Sequence, residues 1–336
     1  MGVLSQLRLR GERQAKLLRC LRKSASLSAR VNRTDTIRTH DILAFVTLRN
    51  EVLRLPYFLD YYRAQGVQHF LMVDNGSTDG TTEYLEAQRD VSVWVTTDSY
   101  KGASYGVDWL NHLLWRYGAG HWVLVLDVDE FLLYPFCDTR PLRALTDWLD
   151  SQGRRSFGAM LLDMYPKGPI SAQPYQSGQN PFEIARWFDA GNFSIRRNAK
   201  YSNLWIQGGV RQRLIMAQAP AKAPALNKTP LVHWSRKYAY ISSTHMLLPR
   251  GLNKVYDDAG GEDASGVLLH AKFLNTILEK TQEELQRGEH YAGSREYQAY
   301  QSSLSASQDL WCDWSTEYIN WRQLEILGLM SKGDWA

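Results

Sequence analysis

The chain has 336 residues, 44% hydrophobic and 22% charged side chains and a formal net charge of +4, which is length enough for one large domain or a domain with an extension. No run approaches the roughly 18–20 apolar residues of a membrane span, and the N-terminus lacks the apolar segment of a secretory signal, so a cytoplasmic chain is expected. Cys20, Cys137 and Cys312 are odd in number, far apart and without CxxC spacing, which argues against a disulfide framework or a zinc site and predicts reduced thiols.

Residues 1–40 read as a basic tail. Nine Lys and Arg between Arg8 and Arg33 face Glu12 alone, and Leu4, Leu7, Leu17, Leu18 and Leu21 stand among them. Two readings stay open. One is a polybasic arm on an anionic membrane surface or nucleic acid; the other is a solvated, partly helical tail, because the polar GERQ interrupts the apolar face.

From Asp41 apolar strands alternate with helical stretches. ILAFVTL (42–48) has buried-strand length, Asn50 is placed to cap the helix EVLRLPYFLDYYRAQ, and Gly66 closes it. VQHFLMV (67–73), a helix near TTEYLEAQ, VSVWVTT (91–97), a helix around 104–117 and HWVLVLD follow. Strands apolar on both faces and separated by helices predict an open, mostly parallel, Rossmann-like α/β sheet covered on both sides. Ligands in such sheets sit beyond the carboxyl ends of the strands, where the chain places Thr47, Arg49 and Asn50, then DNGSTDG (74–80), DSYKG (98–102) and DVDE. After 131 the pattern loosens into loop-rich pieces. The expected division is 41–131 as a strand-and-helix half, 132–275 as a loop-rich half, and 276–336 as a C-terminal helical extension.

Asp127 and Asp129 lie two apart, so in a continuing strand they share a face, with Glu130 opposite. Their mutual repulsion is relieved by a hard divalent ion completed by substrate phosphates, or the acids simply cap a sheet edge in solvent. Placement after VLVL, on the same rim as DNGSTDG, favours the metal. DNGSTDG itself is either a tight turn or a carboxylate site for a nucleoside; the calcium-loop pattern fails for want of a Glu at the twelfth position. No GxGxxG or GxxxxGK[ST] follows the first strand, which argues against dinucleotide or P-loop chemistry.

TLRNE (47–51), VDNGSTDGT (73–81) and LDVDEFL (126–132), in this order, resemble the family-two glycosyltransferases of A-type fold, especially a bacterial branch with a D-x-D-E motif. KTPLVHW (228–234), STH (243–245), LLHAKFL (268–274) and RGEHY (287–291) resemble the same branch less strongly. The resemblance implies an A-type glycosyltransferase fold and transfer from a nucleotide sugar, expected to be UDP-linked, to a saccharide or glycan-lipid acceptor in bacterial surface polysaccharide synthesis. It implies Mn2+ or Mg2+ on Asp127 and Asp129, and nucleotide binding by Thr47, Arg49, Glu51, Asp74 and Asp98; Lys101 is grouped with them. Contact of the basic tail with the inner membrane face is an associated expectation, and no nucleic-acid partner is expected.

A-type enzymes often supply a late histidine to the metal or leaving phosphate. His270, in LLHAKF, is the choice, with His245 as rival. An inverting reaction needs a base for the acceptor hydroxyl; GGEDASG (260–266) offers Asp263 with Glu262, and Asp163 and Asp189 are alternatives. GGVRQR (208–213) offers Arg211 and Arg213 to the phosphates, and Trp187, Trp205, Trp234 and Tyr238 offer faces for sugar stacking or serve as core. A nucleotidyltransferase and a non-catalytic nucleotide-sugar-binding subunit are the competing classes.

Overall fold

The computed structural model describes residues 3–255, 262–289 and 291–335, so Gly260 and Gly261 of GGEDASG and His290 of RGEHY lie outside the described residues. In chain order the helices are α1 (Val3–Lys23), α2 (Leu55–Gln65), α3 (Thr81–Glu86), α4 (Val107–Leu113), α5 (Leu142–Ser151), α6 (Ile277–Arg287), α7 (Tyr291–Ser303) and α8 (Trp321–Ile326). The strands are β1 (Ser28–Val31), β2 (Leu43–Leu48), β3 (His69–Asp74), β4 (Val91–Val95), β5 (Trp122–Leu126), β6 (Glu130–Leu133), β7 (Ser156–Asp163) and β8 (Trp187–Asp189), then β9 (Ser194–Asn198), β10 (Asn203–Gln207), β11 (Asn227–His233), β12 (Ala239–Ser242), β13 (Met246–Leu248), β14 (Ser265–His270) and β15 (Ser315–Glu317).

Nine strands form one mixed sheet in the order β1-β4-β3-β2-β5-β11-β7-β14-β6. β2, β3, β4 and β5 run parallel, as their apolar runs predicted, and β7 and β14 point the same way. β11 lies antiparallel between β5 and β7, while β1 and β6 are antiparallel edges. Alternate residues serve two cores. Ala44, Val46, Phe70, Met72 and Leu124 meet Leu55, Phe58 and Leu59 of α2 and Leu145 of α5 on one face; Phe45, Leu71, Val73, Val123 and Val125 meet Trp109 and Leu113 of α4 on the other. Each such fully buried side chain contributes about 1.5–3 kcal/mol.

Four strand spacings of roughly 4.8 Å, about 19 Å in a flat sheet, separate β5 from β6 in that order. Residues 127–129 alone join them, a reach of about 14 Å, so the sheet curls until β6 stands beside the end of β5. Helix α2 holds it there: the Tyr61 hydroxyl donates to the Leu132 carbonyl at 2.7 Å and the Tyr62 hydroxyl to the Glu130 carbonyl at 2.8 Å.

Three expectations need correction. Residues 3–40, expected as part of a tail over 1–40, belong to the fold: α1 packs on α4, Arg19 Nε reaches the buried Asp108 carboxylate at 2.6 Å, Cys20 is fully buried, and β1 pairs with β4. Asn50 caps no helix; it adopts φ 52°, its side-chain oxygen accepts from Thr78 N, and α2 begins four residues beyond Glu51 with Pro56 in its first turn. The final thirty residues, read as helical, hold the short α8 and the strand β15, which pairs with β8.

Candidate active site at the carboxyl rim of the sheet

Where β2, β5, β7 and β14 end, a cavity of about 1000 Å³ opens. Its wall draws on Lys16 of α1, Trp205 and Gln207 of β10, the segment 221–225, the segment 240–245, and Lys280, Glu284 and Arg287 of α6. Basic side chains outnumber acidic ones among the lining residues, so the cavity suits an anionic ligand.

Asp127, Val128 and Asp129 belong to the turn between β5 and β6 and not to a continuing strand, so strand alternation does not govern them. The turn is closed by Glu130 N donating to the Asp127 carbonyl at 3.0 Å. The three acids end up in different environments: the side chains of Asp127, Asp129 and Glu130 are 57%, 17% and 1% exposed. Because β6 pairs with β14, Glu130 lies opposite His270, and Ala271 N donates to the Asp129 carbonyl at 2.8 Å.

Two charge relays converge on this turn. In the first, Arg211 Nε lies 2.7 Å from Asp163, Asp163 holds His270 Nδ1 at 2.7 Å, and His270 Nε2 faces Asp129 Oδ2 at 3.3 Å. Burial opposes charge on His270, yet Asp129 and Asp163 outweigh it and raise its pKa. Burial likewise raises both carboxyls, but Arg211 and His270 bring Asp163 down to about 2, and His270, with Arg54 and Lys272, holds Asp129 well below the usual range. In the second relay Lys228 Nζ stands 2.9 Å from Glu130 and 3.7 Å from Asp127. Burial pushes the Glu130 carboxyl up to about 7 against the pull of Lys228, and burial of Lys228 is outweighed by Glu130 and Asp127, which keep it an ammonium.

An imidazole oriented by a buried carboxylate, with its second nitrogen facing another carboxylate, is the donor chemistry of a His–carboxylate metal site. Among the described residues no three His, Cys, Asp or Glu are grouped to hold an ion unaided, so substrate oxygens and water must complete any coordination, as Mg2+ prefers. Asp129 and His270, whose facing atoms are 3.3 Å apart, offer donor atoms of the kind such partial coordination uses.

Thr47, Arg49, Glu51 and Lys101 line the cavity. The Thr47 hydroxyl is buried without a hydrogen-bond partner, and α4 approaches it so closely that a Cβ at Gly106, whose φ is +77°, would lie 2.9 Å from Thr47 Cγ2. Arg49 ties Glu283 of α6 to the carbonyls of Asn75 and Gly76, and Glu51 pairs with Arg54 and Lys280. Asp74 does not reach the cavity: its buried carboxylate is consumed inside its own turn, accepting from Ser77 N at 2.9 Å, Ser77 Oγ at 2.6 Å and Thr82 Oγ1. Its neighbour Asn75 lines the cavity instead. Asp98 is turned aside and pairs with Lys23 at 3.2 Å.

Asp263 precedes β14, whereas His270 ends it, so at about 3.3 Å per residue the two lie roughly 23 Å apart along the strand. Asp263 pairs with Arg154 at 2.6 Å beneath the start of β7, and the exposed Glu262 is its neighbour. Neither is at the rim, which corrects their assignment as base. Asp263→Asn should therefore leave turnover within about twofold of wild type and cost about 1 kcal/mol of stability or less, measured by initial rates and denaturant midpoints. Of the alternatives, Asp163 serves His270, and Asp189 is gripped by Arg213 and Tyr165. His245 lines the cavity with Nδ1 bound to the Asn227 carbonyl. Of the four aromatics, Trp205 lines the cavity; Trp234 is buried against Tyr238 and Tyr240, and Trp187 packs on Trp311.

The sequence reading assigned no role to Lys228, Lys272, Lys280 or Arg287, all of which line the cavity. For Lys228 a signal existed: a lysine opening the apolar run KTPLVHW is a buried charge in need of a partner.

No protein-family model matches the chain, and no curated protein matches it. Among solved structures it is similar to a mannosyltransferase from Pyrobaculum calidifontis in complex with GDP-Man and Mn2+, at 19% identity and TM-score 0.26, over 49% of this chain and 46% of that one. The chain thus spans less than half the length of that protein. A 4-diphosphocytidyl-2C-methyl-D-erythritol synthase is similar at 19% identity and TM-score 0.25, over 43% of this chain and 67% of that one. A UTP-bound UGPase from Acinetobacter baumannii is similar at 11% identity and TM-score 0.31, over 79% and 100%. Scores this low establish no shared fold, and no functional reading rests on them.

Proposed function

We propose that the chain is a glycosyltransferase of A-type fold that moves a sugar from a nucleotide-sugar donor to a saccharide or glycan-lipid acceptor. The observation that supports this best is the β5–β6 turn, which presents Asp127 and Asp129 beside an Asp163-oriented His270 at the edge of a basic cavity. Asp127, Asp129 and His270 are the residues that would hold a divalent cation. Bound there, it supplies Lewis-acid neutralisation of the charge that grows on the leaving diphosphate. Thr47, Asn75 and Lys101, which line the cavity, would meet the nucleoside and its first phosphate, and Lys272, Lys280 and Arg287 would add countercharge. Asp163 is a positioning residue: it fixes the ring of His270 so that Nε2 faces Asp129. Trp205 offers an apolar face to an acceptor sugar. No base is assigned, and an inverted product is the expectation that the resemblance alone supports.

The lysine-rich lining suits a triphosphate as well as a diphosphate, which keeps a nucleotidyltransferase as the second reading. Incubation with a panel of nucleotide sugars and Mn2+ separates the two. Release of nucleoside diphosphate, slow without acceptor and faster with it, supports glycosyl transfer; release of pyrophosphate on supplying a nucleoside triphosphate and a sugar phosphate supports the second reading. Binding without turnover in either assay would make the chain a non-catalytic subunit. Asp163→Asn should weaken Mn2+ affinity by about 10–100-fold, as loss of an outer carboxylate partner commonly does. Calorimetric titration of the metal checks it, and unchanged affinity removes His270 from the metal set.

A further inference from the structure

Helix α1 is anchored on one side and bare on the other. Toward the protein, Leu9 and Cys20 are buried, Arg19 is locked to Asp108 and to the Gly102 carbonyl, and Glu12 accepts from the Tyr201 hydroxyl at 2.6 Å and pairs with Lys200 at 3.1 Å. Away from it, Leu4, Leu7, Leu18 and Leu21 are 83%, 53%, 57% and 45% exposed. At 3.6 residues per turn these leucines fall within an arc of about 100°, with exposed Gly11, Gln14 and Ala15 between them, and they extend over about 26 Å of helix. Exposed Arg8 and Arg22 lie along one margin of the stripe and Arg10 along the other.

A surface helix in water places its charges outward. Leucines in a row with arginines at their margins, on a helix fixed with that face outward, form the surface of an interfacial helix, and the charge selects its partner. Glu12 is the sole acid between residues 1 and 33, and it is already tied to Lys200. We propose that this face of α1 docks on an anionic lipid bilayer, the leucines entering the headgroup boundary and the arginines meeting lipid phosphates. Strand β9, whose Ile195 is 61% exposed and is followed by exposed Arg196, leads into the turn that carries Tyr201 and so adjoins the helix. Because Lys16, on the opposite side of the same helix, lines the cavity, docking holds the cavity one helix diameter, ~10 Å, from the membrane surface, where a lipid-linked acceptor resides. The docking does not depend on the reaction assigned to the cavity.

Flotation of the full chain with phosphatidylcholine vesicles, with and without phosphatidylglycerol, tests this. Wild type should float with the anionic vesicles and stay behind with the neutral ones, and raised salt should weaken the binding. Leu7→Glu/Leu18→Glu and, separately, Arg8→Glu/Arg22→Glu should each lower vesicle affinity more than tenfold while circular dichroism and the unfolding midpoint stay at wild-type values. Failure of wild type to float with anionic vesicles overturns the proposal, as does equal flotation of the leucine variant. A concentration-dependent dimer that the leucine variant abolishes, with no vesicle binding by wild type, overturns it in favour of an interface between two copies.

Discussion

Asp129→Ala should lower turnover at saturating Mn2+ by about a hundredfold or more, while the far-ultraviolet circular dichroism spectrum stays that of wild type. The size follows from the role: a group that stabilises charge developing in the transition state contributes roughly 10²–10³ in rate. The fold should survive because the backbone contact from Ala271 N to the Asp129 carbonyl does not need the side chain, and His270 keeps Asp163. The variant should also lose saturable dependence on added Mn2+. Initial rates over a metal titration check both statements, and retention of more than about a tenth of wild-type turnover would remove Asp129 from the proposed metal set.

Lys228→Met should have the largest effect on stability. Its ammonium is 4% exposed and stands against Glu130, itself 1% exposed. Removing one partner of a buried pair strands the other, at a cost of about 3–5 kcal/mol, or a fall in unfolding midpoint of roughly 5 °C or more for a chain of this size. The pH dependence has a definite sign. Glu130 titrates at about 7 in the fold against an ordinary 4.5, burial being the main cause. The folded state therefore holds a proton that the unfolded chain has released, and stability falls as pH rises between those values. Without Lys228 the folded carboxyl is pushed higher still. The deficit of the variant should be greatest above pH 7 and should shrink as pH is lowered toward 4.5. Lys228→Met/Glu130→Gln should recover most of the loss, since no buried charge is then stranded. Denaturant midpoints across this pH range decide it; a deficit that grows on acidification would mean that the pair is not what holds Lys228.

Strands β2 to β5 were legible because each is apolar on both faces over a length that only a covered parallel strand requires, and the polar residues just beyond them had to meet at one rim. What was not legible depends on pairing across distance. Nothing local in NKTPLVH marks it as antiparallel, or as lying between β5 and β7. DVDE reads as a strand end until β6 is known to return to β14. Asp263 sits near His270 in sequence, but a strand lies between them and carries them to opposite ends of the sheet. Asp74 and Asn75 are adjacent, and only the geometry of the turn decides which of them lines the cavity. Helix α1 was hidden for a different reason: much of its inward face is held by Arg19 and Glu12 in ion pairs, so apolar periodicity gave no sign that it belonged to the fold.

The curl that brings β6 beside β5 divides the cavity mechanically. Its floor is a junction where the backbone ladders of the central strand β5 and the edge strand β6 meet within a turn of three residues, so that the carboxylates cannot shift without disturbing β14 as well. Its roof, α6, reaches the loops that follow β2 and β3 through side chains: Glu283 on Arg49, Lys280 on Glu51, and Arg287 on Asn75. Amide exchange in the floor should therefore await global unfolding, whereas α6 belongs to the class of elements that open locally. Raised salt should accordingly speed amide exchange in α6 and leave that of the floor unchanged.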